Sequence, residues 1–262
     1  YSMRGYGEGL NTLTNNLVGT FNLAYAVKEI NREIHIVKLG TMGEYGTPNI
    51  DIEEGFIEIE HNGRKDQFLF PRQAGSLYHT TKILDTDLLY FFVRVSGLRG
   101  TDLMQGPVYG LMIPEMQNDM RLATFFNYDA IFGTVLNRFI VQAALELPLT
   151  VYGSGGQTRG YLNLVDTLQC VQLAVQKPPK LGELRILNQY TETFSVVELA
   201  QKVIATAKDI GISTEIEYQD NPRIEEENHY YNPSNSGLID LGLKPHYLEQ
   251  SVLIEMIEAI LR

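Results

Sequence analysis

Segments with helical periodicity alternate with short β-prone runs along most of this chain of 262 residues. Helices are predicted at about 10–31, 76–96, 131–147, 165–176, 195–210 and 248–261. Strands are predicted at 35–39, 98–104, 149–152, 183–187 and 214–218, with a hairpin turn at His61-Asn62-Gly63. Because strands that alternate with helices are joined by crossovers, the order favours an α/β fold with a mainly parallel sheet.

The composition excludes several classes of partner. The net charge is −11, from 21 basic and 32 acidic side chains, so the surface repels the phosphates of nucleic acids. No run of about 18 apolar residues is present, and the sequence therefore predicts no helix that spans a membrane. Cys170 is the single cysteine, which excludes disulfides within the chain, and the histidines lack the spacing of metal ligands. We expect no metal site.

A tyrosine and a lysine four residues apart lie on the long helix predicted from about residue 76. This spacing puts Tyr78 and Lys82 on one helix face, one turn apart. A neighbouring ammonium favours the phenolate and lowers the pKa of a tyrosine, which makes the phenol a better general base. A surface pair with no chemical role has the same spacing and stays an alternative.

A threonine follows the strand predicted at 35–39. Open α/β sheets bind ligands at the carboxyl ends of their strands, so Thr41 is placed to hydrogen-bond a reacting hydroxyl beside Tyr78. The other interpretation is that Thr41 only caps or turns the chain.

Taken together, these patterns resemble a known family. A threonine at a strand end, then Tyr78-His79-Thr80-Thr81-Lys82 on the next helix, is similar to the extended short-chain dehydrogenase/reductases. The run from Val151 to Tyr161, which contains Arg159, resembles the nucleotide-sugar branch of that family. In that branch an arginine at this place holds the diphosphate. Arg159 suits that role because its guanidinium can bind phosphate with two hydrogen bonds, although a surface arginine in a glycine turn is the alternative.

Within that branch, the runs 38–51, 128–138 and 155–162 resemble the UDP-sulfoquinovose synthases. The resemblance implies an NAD-dependent enzyme that converts UDP-glucose and sulfite to UDP-sulfoquinovose for sulfolipid synthesis. It also implies a homodimer located in the plastid stroma or the bacterial cytoplasm. The alternatives are a UDP-hexose 4-epimerase or 4,6-dehydratase, or an inactive fragment that binds nucleotide sugars.

The resemblance also implies roles for individual residues. Thr41, Tyr78 and Lys82 are the expected catalytic residues, and Tyr78, Lys82 and Val108 are expected to contact NAD. The expected substrate-binding residues are Thr41, His79, Gln105, Gly106, Thr134, Asn137, Leu149, Thr150, Val151, Gln157, Thr158, Arg159 and Arg223. For His79 and Arg223, a purely structural role is the competing interpretation.

The sequence departs from related 4,6-dehydratases directly after the threonine. Those enzymes have Asp-Glu there as the acid and base of the elimination, whereas this chain has Met42 and Gly43. An apolar methionine cannot protonate a leaving hydroxyl, which argues against an ordinary dehydratase. His79 and Glu44 are the candidates for these proton transfers.

A second departure concerns the dinucleotide. No Gly-x-x-Gly-x-x-Gly follows a predicted strand, although the family cradles the pyrophosphate of NAD with such a turn. We therefore expect only the C-terminal half of a Rossmann-type sheet, without the N-terminal dinucleotide-binding portion, and poor binding of NAD⁺ by this chain alone. Residues 1–127 are predicted to be the rest of that domain. Residues 128–262 are predicted to form mainly a smaller α/β domain that binds the UDP-sugar, with some return to the sheet.

Overall fold

The computed structural model describes residues 6–113, 115–116, 119–122, 125–129, 133–221 and 228–261. The chain divides into two compact units, each built from several segments. Unit 1 comprises Tyr1–Gly106, Gln169–Gln189 and Tyr230–Lys244, and unit 2 comprises Pro107–Leu168, Tyr190–His229 and Pro245–Arg262. The first change of unit thus comes at Gly106, earlier than the boundary predicted after residue 127. The roles assigned to the two parts stay predictions.

The predicted alternation of helices and strands is confirmed. The helices are α1 Tyr6–Leu13, α2 Gly19–Ile30, α3 Leu77–Ser96, α4 Val135–Ala144, α5 Leu164–Gln176, α6 Val196–Asp209, α7 Ser236–Asp240 and α8 Gln250–Leu261. The strands are β1 His35–Thr41, β2 Phe56–His61, β3 Arg64–Leu69, β4 Arg99–Gln105, β5 Val108–Tyr109, β6 Leu149–Tyr152, β7 Thr158–Asn163, β8 Leu184–Gln189, β9 Glu192–Ser195 and β10 Ile216–Gln219. A π-helical stretch, Thr14–Val18, joins α1 to α2. The start predicted for α4, at 131–132, lies outside the described residues.

Unit 1 contains a parallel sheet in the order β1-β4-β8. Lys38 on β1 lies opposite Asp102 on β4, and Thr41 at the end of β1 lies opposite Gln105. Gln105 in turn lies opposite Gln189 on β8, so the carboxyl ends of the three strands are aligned. The helix α3 packs against β1 and β4. Parallel strands with crossover helices confirm the predicted Rossmann-type fold class.

Each unit has a core of its own. In unit 1, Leu103, Cys170, Leu187 and Leu238 form a buried cluster. In unit 2, the helices α4, α6 and α8 pack around a larger cluster that includes Leu136, Phe139, Leu199, Val203 and Met256. This unit also carries the mixed sheet β5-β7-β9 and the parallel pair β10-β6. None of the described helices is both long and apolar enough to cross a bilayer.

Candidate active site

The strand β1 ends at Thr41, and a 3-10 turn, Met42–Glu44, follows directly. Thr41 Oγ1 accepts a hydrogen bond from Gly43 N at 3.2 Å, so the threonine does cap this turn. A hydroxyl donates one hydrogen bond while it accepts others, and the contact with Gly43 does not use the hydroxyl proton. The capping role and the predicted contact with a reacting hydroxyl are therefore compatible.

The helix α3 carries Tyr78 in its first turn and Lys82 one turn later. The helix begins here because Ser76 Oγ accepts a hydrogen bond from His79 N at 3.2 Å. The Tyr78 side chain is 43% exposed and thus open to a ligand. The Lys82 side chain is 16% exposed, and its Nζ lies 3.9 Å from Asp85 Oδ2. The predicted spacing on one helix face is confirmed.

The ionisation of Tyr78 differs from the sequence prediction. Burial raises the pKa of Tyr78 above its ordinary value. Lys38 is the charge that most lowers the pKa of this phenol, while Glu44 and Asp85 raise it. The prediction that a neighbouring ammonium gives Tyr78 a lowered pKa is therefore wrong, because desolvation outweighs the attraction. Burial also lowers the pKa of Lys82, and the repulsion from Lys38 adds to that effect.

A buried charge cluster, which the sequence did not single out, joins α3 to β1, β4 and the 3-10 turn. It consists of Lys38, Glu44, Thr86 and Asp102. Lys38 Nζ lies 2.7 Å from Thr86 Oγ1, 2.9 Å from Asp102 Oδ2 and 3.4 Å from Glu44 Oε1. Both carboxylates are fully buried, and the Lys38 side chain is 9% exposed. One sign of this cluster was present in the sequence, since Lys38 and Asp102 are charged residues inside two predicted strands.

The groups of this cluster shift one another's pKa. Burial lowers the pKa of Lys38, but Asp102 and Glu44 outweigh burial and raise it. Burial raises the pKa of Glu44, and Lys38 opposes that change. Arg72 adds a second cation, with Nη1 3.4 Å from Glu44 Oε2. The lysine is therefore held in its charged form.

His79 follows Tyr78 and fills the space beside the 3-10 turn. Its Nδ1 lies 3.1 Å from Ser76 Oγ, and its ring centroid is 5.2 Å from that of Tyr78. A Cβ at position 43 would lie 2.6 Å from both Cδ2 and Cε1 of the imidazole, far inside contact distance. Gly43 is thus required for His79 to lie here.

Glu44 and His79, the two candidates for proton transfer in the elimination, differ in their exposure to a ligand. Glu44 is fully buried and held by Lys38 and Thr86. The prediction that Glu44 exchanges protons with the substrate is therefore wrong, because its carboxylate cannot reach a ligand. His79 is partly exposed and adjoins both Tyr78 and the turn after Thr41. His79 remains the candidate.

The predicted hexose-site residues Gln105 and Gly106 lie at the same edge of the sheet as Thr41. The pairing of β1 with β4 places Gln105 next to Thr41. Gln105 Nε2 donates to Gln189 Oε1 at 3.2 Å, and Gly106 N donates to Gln189 O at 3.0 Å. Gln189 therefore orients both Gln105 and Gly106, although the sequence had not indicated it as a site residue. Its position at the carboxyl end of a parallel strand could have predicted a place in the site.

In unit 2, the residues expected to hold the nucleotide lie on β6 and β7. Leu149 and Val151 are fully buried, and Leu149 N donates to Glu215 O at 2.7 Å, so their contact with the nucleotide stays a prediction. Thr150 is held by α4, because its Oγ1 and its N bind the Gln142 amide at 2.6 and 3.1 Å. Arg138 Nη2 donates to Thr150 O at 3.1 Å.

The strand β7 begins with the residues expected at the diphosphate. Gln157 is buried, and its Nε2 donates to Tyr152 O at 3.4 Å. Thr158 Oγ1 donates to Gly156 O at 3.2 Å. Arg159 Nη1 donates to Thr158 O at 2.8 Å and lies 2.9 Å from His229 Nε2. The histidine, outside the predicted site, therefore helps to fix the arginine.

The remaining predicted residues of unit 2 lie on other elements. Thr134 caps α4 and accepts a hydrogen bond from Asn137 N at 3.3 Å, while Asn137 Nδ2 donates to Asn127 O at 3.0 Å. Val108 on β5 pairs with Leu162. Arg223 lies outside the described residues. In the part of the chain that the structure describes, no group of three or more His, Cys, Asp or Glu side chains is arranged to hold a metal ion.

The curated proteins that are similar to this chain in sequence include two UDP-sulfoquinovose synthases. The chloroplastic UDP-sulfoquinovose synthase of Spinacia oleracea is 53% identical over 97% of this chain, which covers 52% of that protein. The UDP-sulfoquinovose synthase of Sulfolobus acidocaldarius is 48% identical over 94% of this chain and 62% of that protein. The chain therefore spans between half and two thirds of the length of these relatives.

The solved structures that are similar in fold include two nucleotide-sugar epimerases. One is the UDP-glucuronic acid 4-epimerase of Bacillus cereus, solved with UDP-glucuronic acid and NAD, which is 19% identical with a TM-score of 0.68. The match covers 95% of this chain and 68% of the epimerase chain. The UDP-glucose 4-epimerase of Thermus thermophilus, solved with NAD, matches 94% of this chain and 69% of its own chain with a TM-score of 0.62 at 22% identity. At these identities the likeness concerns the fold alone.

The family described as "NAD dependent epimerase/dehydratase family" matches residues 4–189, which include β1, α3, β4 and β8. The chain belongs to the NAD dependent epimerase/dehydratase family.

Proposed function

We propose that the protein containing this chain converts UDP-glucose and sulfite to UDP-sulfoquinovose with the help of NAD. The observation that carries the proposal is the placement of Thr41 at a strand end of unit 1, whose helix α3 carries a half-exposed Tyr78 and Lys82. The names of the spinach and Sulfolobus relatives support this substrate pair over other nucleotide-sugar chemistry.

The residues of unit 1 fit the nicotinamide end of the cofactor. Lys82 offers an ammonium one turn from the half-exposed phenol of Tyr78, and together they are suitable partners for ribose hydroxyls. When bound there, NAD⁺ would supply reversible hydride transfer at C4 of the hexose. In this scheme Tyr78 removes the proton of the 4-hydroxyl, and Thr41 orients that hydroxyl. Val108 of unit 2 is proposed as a further contact of the cofactor.

Oxidation at C4 makes the proton at C5 acidic, so that water can be lost across C5 and C6. Proton transfer in this step is assigned to His79, because Glu44 is buried and Met42 is apolar. Sulfite then adds to C6 of the alkene while C5 takes up a proton, and Tyr78 would return its proton to the C4 oxygen when the ketone is reduced. Gln105 and Gly106, held by Gln189, would bind the hexose.

The nucleotide is assigned to unit 2. Arg159 carries the charge for the diphosphate, and the contact with His229 Nε2 at 2.9 Å limits the motion of its guanidinium. Gln157, Leu149, Thr150 and Val151 are assigned to the rest of UDP, with Thr158, Thr134, Asn137 and Arg223 contributing. Replacing Arg159 with methionine is expected to weaken binding of UDP-glucose more than it lowers kcat.

Product analysis by mass spectrometry tests the proposed function. The protein is incubated with UDP-glucose, NAD⁺ and sulfite, and a UDP-hexose that carries a sulfonate is expected. UDP-galactose would instead identify a 4-epimerase, and a 4-keto-6-deoxy sugar would identify a 4,6-dehydratase. Binding of UDP-glucose without turnover would identify an inactive nucleotide-sugar-binding protein. Each of these three results would contradict the proposal.

The role of His79 has a test of its own. In the variant His79→Asn, oxidation at C4 should continue while elimination stops, because Thr41 and Tyr78 are unchanged. Reduced nicotinamide should then accumulate on mixing with UDP-glucose, and no sulfonated product should form. Normal product formation by this variant would exclude His79 as the proton-transfer group.

We further propose that the protein is a homodimer that associates through the exposed aromatic face of α2 and α3. Phe21, Tyr25 and Phe91 are each about half exposed, and the rings of Phe21 and Tyr25 pack against Phe92. An exposed apolar patch of this kind typically marks a protein interface. Sedimentation should show a dimer that Phe91→Glu disrupts and that Tyr218→Glu, an exposed position on β10, leaves intact.

The chloroplastic relative from spinach supports the plastid stroma as the compartment, with the bacterial cytoplasm as the alternative.

A further inference from the structure

Tyr45 is a buried tyrosine that closes the 3-10 turn after β1. Tyr45 N donates to Met42 O at 3.2 Å, which joins the last residue of the turn to its first. The Tyr45 side chain is buried, and its ring packs edge-on against that of Phe70, with the centroids 5.5 Å apart. The place where the turn ends is therefore set by the place of the Tyr45 side chain.

The same turn contacts two residues of the proposed mechanism. Thr41 Oγ1 accepts a hydrogen bond from Gly43 N at 3.2 Å. On its other side Gly43 lies against the imidazole of His79, where a Cβ would be 2.6 Å from two ring carbons. Because close-packed groups transmit displacements to their neighbours, a shift of this turn would move Thr41 or His79.

The phenol of Tyr45 is bound by a buried amide on β8. Tyr45 Oη donates to Asn188 Oδ1 at 2.7 Å, and Asn188 is fully buried. Asn188 Nδ2 donates to Ser234 O at 2.8 Å, and Asn188 N donates to Glu54 Oε1 at 2.8 Å. A rotated amide would place its oxygen against the Ser234 carbonyl, so these contacts hold the amide in one orientation. Burial raises the pKa of Tyr45 well above its ordinary value, so the phenol keeps its proton and stays a donor.

This hydrogen bond joins the two outer strands of the sheet at their carboxyl ends. The turn of Tyr45 follows β1, Asn188 lies on β8, and β4 lies between these two strands. Asn188 directly precedes Gln189, which orients Gln105 and Gly106. The bond from Tyr45 to Asn188 therefore connects the turn beside His79 to the strand end that orients the proposed hexose site.

We propose that Tyr45 is a positioning residue of the active site, whose buried phenol, bonded to Asn188, holds the turn after Thr41 in place against His79. The inference rests on the proposed function in that it takes Thr41 and His79 as residues of the reaction. A purely structural role makes a different prediction, because loss of the hydroxyl would then lower stability without a selective effect on His79 or on kcat.

A second buried tyrosine provides a matched control. Tyr109 in unit 2 is 1% exposed, and its Oη lies 3.1 Å from Glu192 Oε2 and 3.2 Å from His246 O. Tyr45→Phe and Tyr109→Phe each remove one buried hydroxyl, so both should lower the midpoint of urea unfolding. Only Tyr45→Phe should lower kcat for the sulfonated product, by about tenfold or more. KM for UDP-glucose should stay nearly unchanged, because the nucleotide is assigned to unit 2.

NMR of the His79 imidazole tests the inference without substrate or cofactor. The resonance of the Cε1 proton is assigned by its loss in His79→Asn. In Tyr45→Phe this resonance should shift, because the turn beside the ring has moved, whereas in Tyr109→Phe it should coincide with that of the wild type. A His79 resonance that is unchanged in Tyr45→Phe would overturn the proposal, and so would equal kcat values in the two tyrosine variants.

Tyr45→Phe leaves Asn188 Oδ1 buried without its donor, so a double variant separates stability from position. Tyr45→Phe/Asn188→Leu removes both partners of the bond, and such paired apolar replacements are often nearly neutral in stability. The double variant should regain stability but keep the low kcat and the shifted His79 resonance. Recovery of the wild-type kcat together with stability would show a structural role alone and overturn the proposal. If the resonance shifts but the wild type forms no sulfonated product, the proposed function fails while the positioning by Tyr45 stands.

Discussion

At the residue scale, the spacing of the candidate side chains was predictable from the sequence, but the charges around them were not. The spacing of Tyr78 and Lys82 follows from helix geometry, so it could be read from the sequence alone. The contact of Lys38 with Asp102 depends on the register between β1 and β4, which local spacing does not specify. For the same reason the sign of the pKa shift of Tyr78 was mispredicted, since burial depends on the tertiary fold.

Gly43 offers a test of the space around His79. In Gly43→Ala, the new methyl group would overlap the imidazole, so His79 must move. A displacement of about 1 Å in an active site can cost a hundredfold in rate, and we expect kcat for the sulfonated product to fall by about that factor.

Gly75→Ala is the matched control, because a Cβ at Gly75 meets nothing within 4 Å. This variant should keep the wild-type kcat. Equal rates for Gly43→Ala and Gly75→Ala would show that the position of His79 does not matter to the reaction.

At the scale of elements, helices were predictable because periodicity and caps are local signals. The capping box of Ser195 and Glu198 begins α6, and the left-handed Gly97, with φ of 71°, ends α3, which agrees with the helix ranges predicted at 195–210 and 76–96. The strands β5, β7 and β9 were missed. They are short or contain glycine and polar residues, and their pairing partners come from distant parts of the chain.

Two serine caps separate helix stability from catalysis. Ser76→Ala and Ser195→Ala each remove an N-cap, and each should lower the free energy of unfolding by about 1 kcal/mol in urea titrations. Only Ser76 also contacts the imidazole of His79. Ser76→Ala should therefore lower kcat as well, whereas Ser195→Ala should not, and equal kcat values in the two variants would contradict this role of Ser76.

At the scale of the whole molecule, the fold class was predictable from the sequence, while the bounds of the two units depend on pairing between distant segments. The alternation of elements predicted the parallel sheet, which the structure confirms. The units interleave because segments such as 169–189 and 230–244 return to unit 1. Such returns depend on non-local pairing, as of β8 with β4, which gives no local signal in the sequence.

The buried carboxyl of Glu44 should make stability depend on pH. Burial raises the pKa of Glu44 above its ordinary value of 4.5. A carboxyl with a raised pKa in the folded state contributes stability below about pH 4.5, and this contribution is lost as the pH rises through the folded-state pKa.

Urea unfolding of the wild type and of Glu44→Gln at several pH values tests this. The stability of the wild type relative to the variant should fall as the pH rises above about 4.5, because glutamine does not ionise. A difference that is constant or grows with pH would show that Glu44 is not destabilised by burial.

The central claim is that Tyr78 and Thr41 act on one hexose hydroxyl, and stopped-flow absorbance of reduced nicotinamide tests it most directly. UDP-glucose is mixed with the protein and NAD⁺ in the absence of sulfite, so that only oxidation at C4 and the steps before sulfite addition can occur. We predict a rapid rise of NADH in the wild type and a rate lower by about 10²–10⁴-fold in Tyr78→Phe and in Thr41→Ala. A Tyr78→Phe variant that reduces NAD⁺ within a few-fold of the wild-type rate would contradict the account.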